Sequence, residues 1–179
     1  MNQTSYADKV ILGTRVQGPS HTEGDISVQV RSSDAGAAFW LTFEGINRSH
    51  TRGVNRSAIT EHVSQTNFVT SIPVTFDPQR GFRQGTPSIR ATTQLTPIAV
   101  SSTVGGLRGR LVRRIAERRV ESTNEQARQI AQRDTSRDVV AGFQQTVAKQ
   151  LTDLNQELEK NEVFMALRES EEPFMVRSG

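Results

Sequence analysis

Residues 100–116, VSSTVGGLRGRLVRRIA, contain the boundary that decides the fold. Before Val104 the chain is rich in Ser, Thr, Gly and β-branched residues, a composition typical of strands. Residues 107–170 contain no Pro and are dense in Arg, Glu, Gln, Ala and Leu, a composition typical of helices. We therefore divide the chain into a β-rich part (1–104), a helical part (105–161) and a tail (162–179) that starts a further segment.

The β-rich part contains stretches in which apolar and polar residues alternate. Strict alternation gives a strand one apolar and one polar face, so it predicts half-buried strands. Turn-forming residues separate these stretches at 33–36, 45–53 and 77–81. The alternating apolar positions are Ile26, Val28 and Val30; Phe39, Leu41 and Phe43; Phe68, Ile72, Val74 and Phe76; and Ile89, Ala91 and Leu95.

The spacing of strands and turns predicts an antiparallel meander of about six or seven strands. We expect Phe68, Ile72, Val74 and Phe76 to face the helical part. Pro73 lies within a strand pattern and cannot donate a ladder hydrogen bond, so it is expected at a sheet edge or a bulge. The predicted fold class is α+β, an antiparallel sheet followed by one or two long α-helices.

Apolar residues in the helical part recur at helical spacing. Near its start, Leu107, Leu111 and Ile115 are four residues apart. Further on, six residues spaced three or four apart cover only about 80° of the helix circumference, a narrow seam of coiled-coil type. We expect this seam to pack on the sheet, on the first part of the helix or on a second copy of the chain. Its members are Val140, Phe143, Val147, Leu151, Leu154 and Leu158.

The length of the helical part suggests an interruption. One unbroken helix from Leu107 to Lys160 would be about 80 Å long, longer than the predicted sheet. Thr135 followed three residues later by Asp138 resembles a helix start, with Asp in place of the usual Glu or Gln. The helical part therefore either breaks near Asp134 to Ser136 or projects from the sheet, and we expect a break or kink.

Several chemistries lack the residues that they need. The chain has no Cys, which excludes disulfides, thiolate metal sites and cysteine nucleophiles. His21, His50 and His62 show no metal-ligand spacing, and no Ser nucleophile signature is present. The two glycines before Leu107 lack the spacing and the Lys of a phosphate loop, so they indicate a helix breaker. We predict no enzyme activity, no catalytic or metal-binding residue and no cofactor.

The strongest charge feature is a cluster of six arginines within residues 108–119, opposed only by Glu117. On a helical wheel, Arg110, Arg113 and Arg114 lie on the polar side, and we predict them as anion-binding candidates. Arg108 and Arg119 share a face with Leu111, Val112 and Ile115. We expect them either to be buried or paired, with Glu44 or Glu61 as the acidic partner, or to lay their stems on the sheet with their charged heads in water. The arginines form no single stripe and no aromatic residues alternate with them, which disfavours nucleic acid as a partner.

The order of strand and helix signals resembles a group of uncharacterised planctomycete proteins, predicted to be exported or envelope-associated. The resemblance covers residues 24–120 and implies a bacterial envelope or periplasmic location and a longer full-length chain, but no catalytic activity. It rests on turn glycines and alternating apolar residues. These are Ser49, Thr51, Gly53, Asn55, Thr66, Phe68, Val74, Phe76, Asp77 and Gly81, followed by Arg113, Arg114, Ile115, Ala116, Arg118 and Arg119.

These features predict a non-enzymatic structural or interaction module of a bacterial cell envelope. The alternative is a module that binds an anionic ligand, such as a lipid headgroup or nucleic acid, through the Arg-rich helix. No window approaches the roughly 18 apolar residues of a membrane-spanning helix, and the N-terminus has neither the basic start nor the apolar core of a signal peptide. Because apolar residues 174–176 lie close to Gly179, we expect the chain to be a fragment.

Overall fold

The computed structural model describes residues 1–33 and 36–161. It confirms the α+β class, with an antiparallel sheet in meander order followed by a long helix. Within the described residues the elements are β1 (Asn2–Ile11), β2 (Thr14–Ser33), β3 (Gly36–Asn55), β4 (Ala58–Asp77), β5 (Gly81–Gln84), β6 (Ser88–Ser102) and α1 (Gly106–Glu159). The predicted turn at 33–36 and the tail 162–179 lie largely or wholly outside the described residues.

The sheet order is β1-β2-β3-β4-β5, with β6 also paired to β4. The first hairpin pairs β1 with β2 from Asn2↔Glu23 to Ile11↔Thr14. The predicted turn at 45–53 is wrong, because both of its glycines lie inside β3. A Cβ on Gly45 would lie 2.2 Å from the carbonyl oxygen of Glu23. This glycine therefore permits a close approach of two strands and does not reverse the chain.

The turn predicted at 77–81 is confirmed as the β4–β5 connection. Asp77 Oδ1 accepts hydrogen bonds from the backbone N–H groups of Gln79 (2.8 Å) and Arg80 (3.1 Å), and Gly81 has a φ of 74°. The edge position predicted for Pro73 is wrong, since β4 has β3 on one side and β5 and β6 on the other. Pro73 lies opposite the gap between β5 and β6, where its carbonyl accepts from Gly85 N at 2.7 Å.

The helix α1 runs without interruption from Gly106 to Glu159. The break predicted near Asp134 to Ser136 is therefore wrong. Thr135 and Ser136 are helical and half-buried, so Thr135 does not begin a new helix. A cap signal has no effect where the flanking residues are already held in a packed helix.

The described residues divide into two compact units that differ in their interiors. The first unit comprises Met1–Asp25, Glu44–Phe68 and Arg90–Arg137, and the second comprises the described residues of 26–43, 69–89 and 138–161. Most buried apolar side chains belong to the second unit, whereas buried polar side chains dominate the first. In the first unit these are Asn47, Ser64, Thr66 and Thr93, beside Phe68 and Ala116.

Candidate functional site

The segment that leads into α1 is anchored to the turn between β3 and β4 in the first unit. The N–H of Thr103 donates to the carbonyl oxygen of Ser57 at 2.9 Å, which fixes the segment before the helix. Gly106 adopts a φ of 68°, a left-handed conformation that favours glycine. A Cβ on Gly109 would lie 2.0 Å from the carbonyl oxygen of Val104, so the first turn packs directly on the preceding backbone.

The inward face of this part of α1 carries small side chains. Gly109 and Ala116 are buried, and Val112 and Val120 are half-buried. At about 100° per residue, these four residues lie about 100–180° around the helix from Leu111. The helix therefore turns the side opposite to Leu111 towards its own unit.

The outward face of the same turns is apolar. Leu107 is 81% exposed, Leu111 61% and Ile115 59%. Because these residues are four apart, they form one continuous exposed row along the helix. The face that Arg108 and Arg119 share with Leu111 is therefore exposed. A contiguous exposed apolar patch marks an interaction site more often than a single exposed leucine does.

Arginines lie on both sides of the exposed row, and all six members of the cluster are exposed. At about 100° per residue, Arg114 and Arg118 lie on one side of Leu111 and Arg108 and Arg119 on the other, all within about 80° of it. We call Leu107, Leu111, Ile115 and these four arginines the Arg-rimmed row. Arg110 lies outside this range, at about 100° from Leu111.

The prediction that Arg108 and Arg119 are buried is wrong, because the face that they share with Leu111 points outwards. Arg119 Nη2 donates to the carbonyl oxygen of Leu12 at 3.3 Å, and so meets a backbone group instead of the expected carboxylate. Glu61 lies 4.0 Å from His50, and Glu44 is exposed. Among the three anion-binding candidates, Arg113 donates to Glu117 Oε1 at 2.8 Å, so part of its charge is compensated within the helix.

The sequence contains the signal that would have oriented this helix correctly. The larger apolar side chains at Leu107, Leu111 and Ile115 predict that this face points inwards, and the structure shows it exposed. The small residues Gly109 and Ala116 mark the face on which a backbone can approach most closely. Close approach on that face leaves the larger Leu111 outside.

The predicted seam is correct in part. In the second unit Phe143, Val147 and Leu151 are buried, and the Phe143 ring centroid lies 5.5 Å from that of Phe43. These three side chains pack within the chain and are not an interface with a second copy. Val139, which the prediction missed, is also buried, whereas Leu154 is 42% exposed and Val140 and Leu158 are half-buried.

The buried stripe therefore has a spacing of four, from Val139 to Leu151. In a helix of 3.6 residues per turn, each step of four residues rotates the stripe by about 40°. A seam that stays on one line along the helix therefore differs from the buried stripe at its two ends. One step beyond Leu151, Asn155 pairs with the backbone of Phe82. Its Oδ1 accepts from Phe82 N at 2.7 Å, and its Nδ2 donates to Phe82 O at 3.0 Å.

Hydrogen bonds between small polar side chains fill the interior of the first unit. The hydroxyl groups of Thr66 and Thr93, both almost fully buried, lie 2.7 Å apart. The Asn47 amide donates to the hydroxyls of Ser20 (2.9 Å) and Thr22 (2.7 Å). These bonds satisfy groups whose burial would otherwise be costly. The network explains how a chain with only 34% hydrophobic residues forms a packed unit.

Two ion pairs also involve the helix in the first unit. Lys9 Nζ lies 2.7 Å from Asp134 Oδ2, whose side chain is only 13% exposed. Arg128 pairs with Glu125, which lowers the pKa of the Glu125 carboxyl, and its Nη1 reaches the carbonyl oxygen of Thr93 at 3.4 Å. Both contacts attach the middle of α1 to strands and leave the Arg-rimmed row unaffected.

The three histidines lie in different surroundings. His21 Nδ1 is 3.2 Å from Thr4 Oγ1, and His50 is near Glu61. His62 is half-buried, and burial lowers its pKa below the usual value. Among residues 1–33 and 36–161, no three His, Cys, Asp or Glu side chains form a group able to hold a metal ion.

The helix of the described region is not apolar enough along its length to cross a membrane. Its exposed apolar residues near the amino-terminal end are instead confined to one row, between charged side chains. Comparison of the chain with protein-family models, with curated proteins and with solved structures finds no match.

Proposed function

We propose that this chain is a non-enzymatic interaction module that binds anionic lipid surfaces through the Arg-rimmed row. The observation that carries the proposal is the exposure of Leu107, Leu111 and Ile115 between four exposed arginines. A helix with an apolar row flanked by cations lies in the plane of a membrane interface. The apolar side chains then reach the acyl region while the arginines remain at the phosphate level.

The chemistry of arginine suits this arrangement. Its long stem is apolar, so it can extend from the row while the guanidinium stays at the headgroups. The guanidinium also binds phosphate oxygens in a bidentate manner. Each Arg near an anionic membrane contributes about 1 kcal/mol, and the three apolar side chains add a contribution that does not depend on lipid charge.

The apolar row favours a membrane over nucleic acid. A phosphate backbone would attract the arginines but would give Leu107, Leu111 and Ile115 nothing apolar to contact. We place the membrane in a bacterial cell envelope. This location rests on the planctomycete resemblance, and the chemistry of the row applies to any anionic membrane.

Co-sedimentation with vesicles tests the proposal. We expect the full chain to bind phosphatidylcholine vesicles that contain phosphatidylglycerol and to bind pure phosphatidylcholine much more weakly. Replacing both Arg114 and Arg118 by Gln should weaken binding by about 30-fold, because two arginines contribute about 2 kcal/mol. The matched control is Arg133→Gln, since Arg133 is on the same helix and its side chain is 77% exposed.

A second variant separates lipid from nucleic acid. Replacing Leu111 and Ile115 by Gln keeps every charge but removes most of the apolar row. We expect it to weaken vesicle binding, whereas Leu154→Gln, at another exposed leucine of the helix, should not. Equal binding to both vesicle types would refute the proposal. Salt-sensitive binding to duplex DNA that depends on the arginines but not on Leu111 would indicate a nucleic-acid partner instead.

A further inference from the structure

The turn between β3 and β4 carries a residue in an unfavourable backbone conformation. Arg56 lies between Asn55, the last residue of β3, and Ala58, the first residue of β4, and its φ is 52°. This left-handed conformation suits Gly, Asn or Asp, because a larger side chain crowds the backbone. The turn therefore holds backbone strain that Asn at this position would reduce.

No ion pair offsets this strain in the described part of the chain. Arg56 is exposed, and no acidic side chain among residues 1–33 and 36–161 pairs with it. Strained residues that the fold itself does not need are concentrated at binding sites. The exposed guanidinium of Arg56 therefore points to a ligand outside the chain.

Hydrogen bonds fix this turn beside the segment that leads into α1. The N–H of Thr103 donates to the carbonyl oxygen of Ser57 at 2.9 Å, and the Thr103 hydroxyl donates to the same oxygen at 3.5 Å. On the other side, Asn55 Nδ2 donates to the carbonyl oxygen of Gly13 at 3.1 Å. Because the turn is held in place, little ordering is required when Arg56 binds a ligand together with the helix.

The exposed apolar row of α1 extends to this segment. Val104 is 40% exposed and precedes Leu107, which is 81% exposed, by three residues. The N–H of Val104 donates to Ser102 Oγ at 3.1 Å, and the Val104 carbonyl packs on the first helical turn at Gly109. Val104 is therefore a fixed apolar side chain between the row and the strained turn.

We infer that Arg56 and Val104 belong to the same lipid-binding surface as the Arg-rimmed row. Arg56 binds a lipid phosphate from the β3–β4 turn, and Val104 enters the acyl boundary beside Leu107. This assignment rests on the proposed function and enlarges its site. The charge of Arg56 is complementary to anionic lipid, as are the four arginines of the row. Membrane binding then needs the folded first unit and not the helix alone.

Arg56→Asn should have opposite effects on folding and on binding. Because Asn tolerates the left-handed conformation, the urea midpoint should rise by about 0.2–0.5 M. Binding to vesicles that contain phosphatidylglycerol should weaken about fivefold, the effect of one arginine at an anionic membrane. The matched control is Arg90→Asn, at an exposed arginine of β6 in the same unit, which should leave binding unchanged.

The absence of Cys allows a direct test of the position of Val104. Val104→Cys would introduce the only thiol of the chain, which can carry an environment-sensitive fluorophore. We expect its emission to shift to the blue when phosphatidylglycerol vesicles are added. The same label on Asn67→Cys should show no shift, because Asn67 is exposed on β4 about 30 Å along the strand from the turn.

The outcomes separate this surface from the proposed function. If vesicle binding depends on Arg114 and Arg118 but is unchanged by Arg56→Asn, or if the label at position 104 stays in water, this extension is overturned and the row remains. A lower urea midpoint for Arg56→Asn would show that Arg56 stabilises the fold and would also overturn it. A chain that binds both vesicle types equally would refute the proposed function together with its extension.

Discussion

Phe143→Ala tests whether the buried stripe of α1 supports the second unit. The Phe143 side chain is fully buried, with 0% exposure, and its ring lies 5.5 Å from that of Phe43. Truncating a fully buried Phe costs about 3–5 kcal/mol, because the lost contacts leave a cavity. Alanine favours a helix by about 0.5 kcal/mol over Phe, which offsets little of this loss. We therefore expect a net destabilisation of about 3–4 kcal/mol.

Urea unfolding measures this loss. With a denaturant dependence of about 2 kcal/mol per molar, the midpoint should fall by about 1.5–2 M. Far-UV circular dichroism reports the helix, and fluorescence of Trp40, the only Trp of the chain, reports the second unit. Leu154→Ala is the matched control, because Leu154 is 42% exposed on the same helix. A loss below about 1 kcal/mol for Phe143→Ala, or equal losses for both variants, would refute the packing described for this stripe.

Three further outcomes follow from burial and charge. Leu151→Asp should destabilise the chain in urea unfolding much more than Leu154→Asp, because the Leu151 side chain is 8% exposed and that of Leu154 is 42% exposed. Equal effects of the two variants would contradict the position assigned to the buried stripe. Arg119→Ala and Arg113→Ala should each change the unfolding free energy by less than about 1 kcal/mol, because both arginines are exposed. A large effect of Arg119→Ala alone would contradict the exposure of Arg119. Burial lowers the pKa of His62 in the folded chain. As the pH falls below about 6.5, His62 is therefore protonated in the unfolded chain before it is protonated in the folded chain. The contribution of neutral His62 to stability should therefore be complete above that pH and lost as the pH falls through the folded-state pKa. His62→Gln should reduce this loss when the unfolding free energy is measured at several pH values.

The sequence alone determines the class of the fold and most of its elements. The alternation around Phe68, Ile72 and Val74 correctly predicts a strand with one buried face, since a period of two places alternate side chains on one side. The change in composition near Val104 correctly separates strands from helix. The Asp77–Gly81 turn is also predictable, because its hydrogen bonds and its left-handed glycine are local.

The tertiary structure decides which face of a helix is inside and where local signals are overridden. Helical spacing shows that Leu111, Arg108 and Arg119 share one face, but only packing shows that this face is exposed. The glycines of β3 and the cap signal at Thr135 suggest interruptions that contacts with neighbouring elements suppress. The physical reason is that local patterns fix relative positions within one element, whereas burial depends on the elements packed against it.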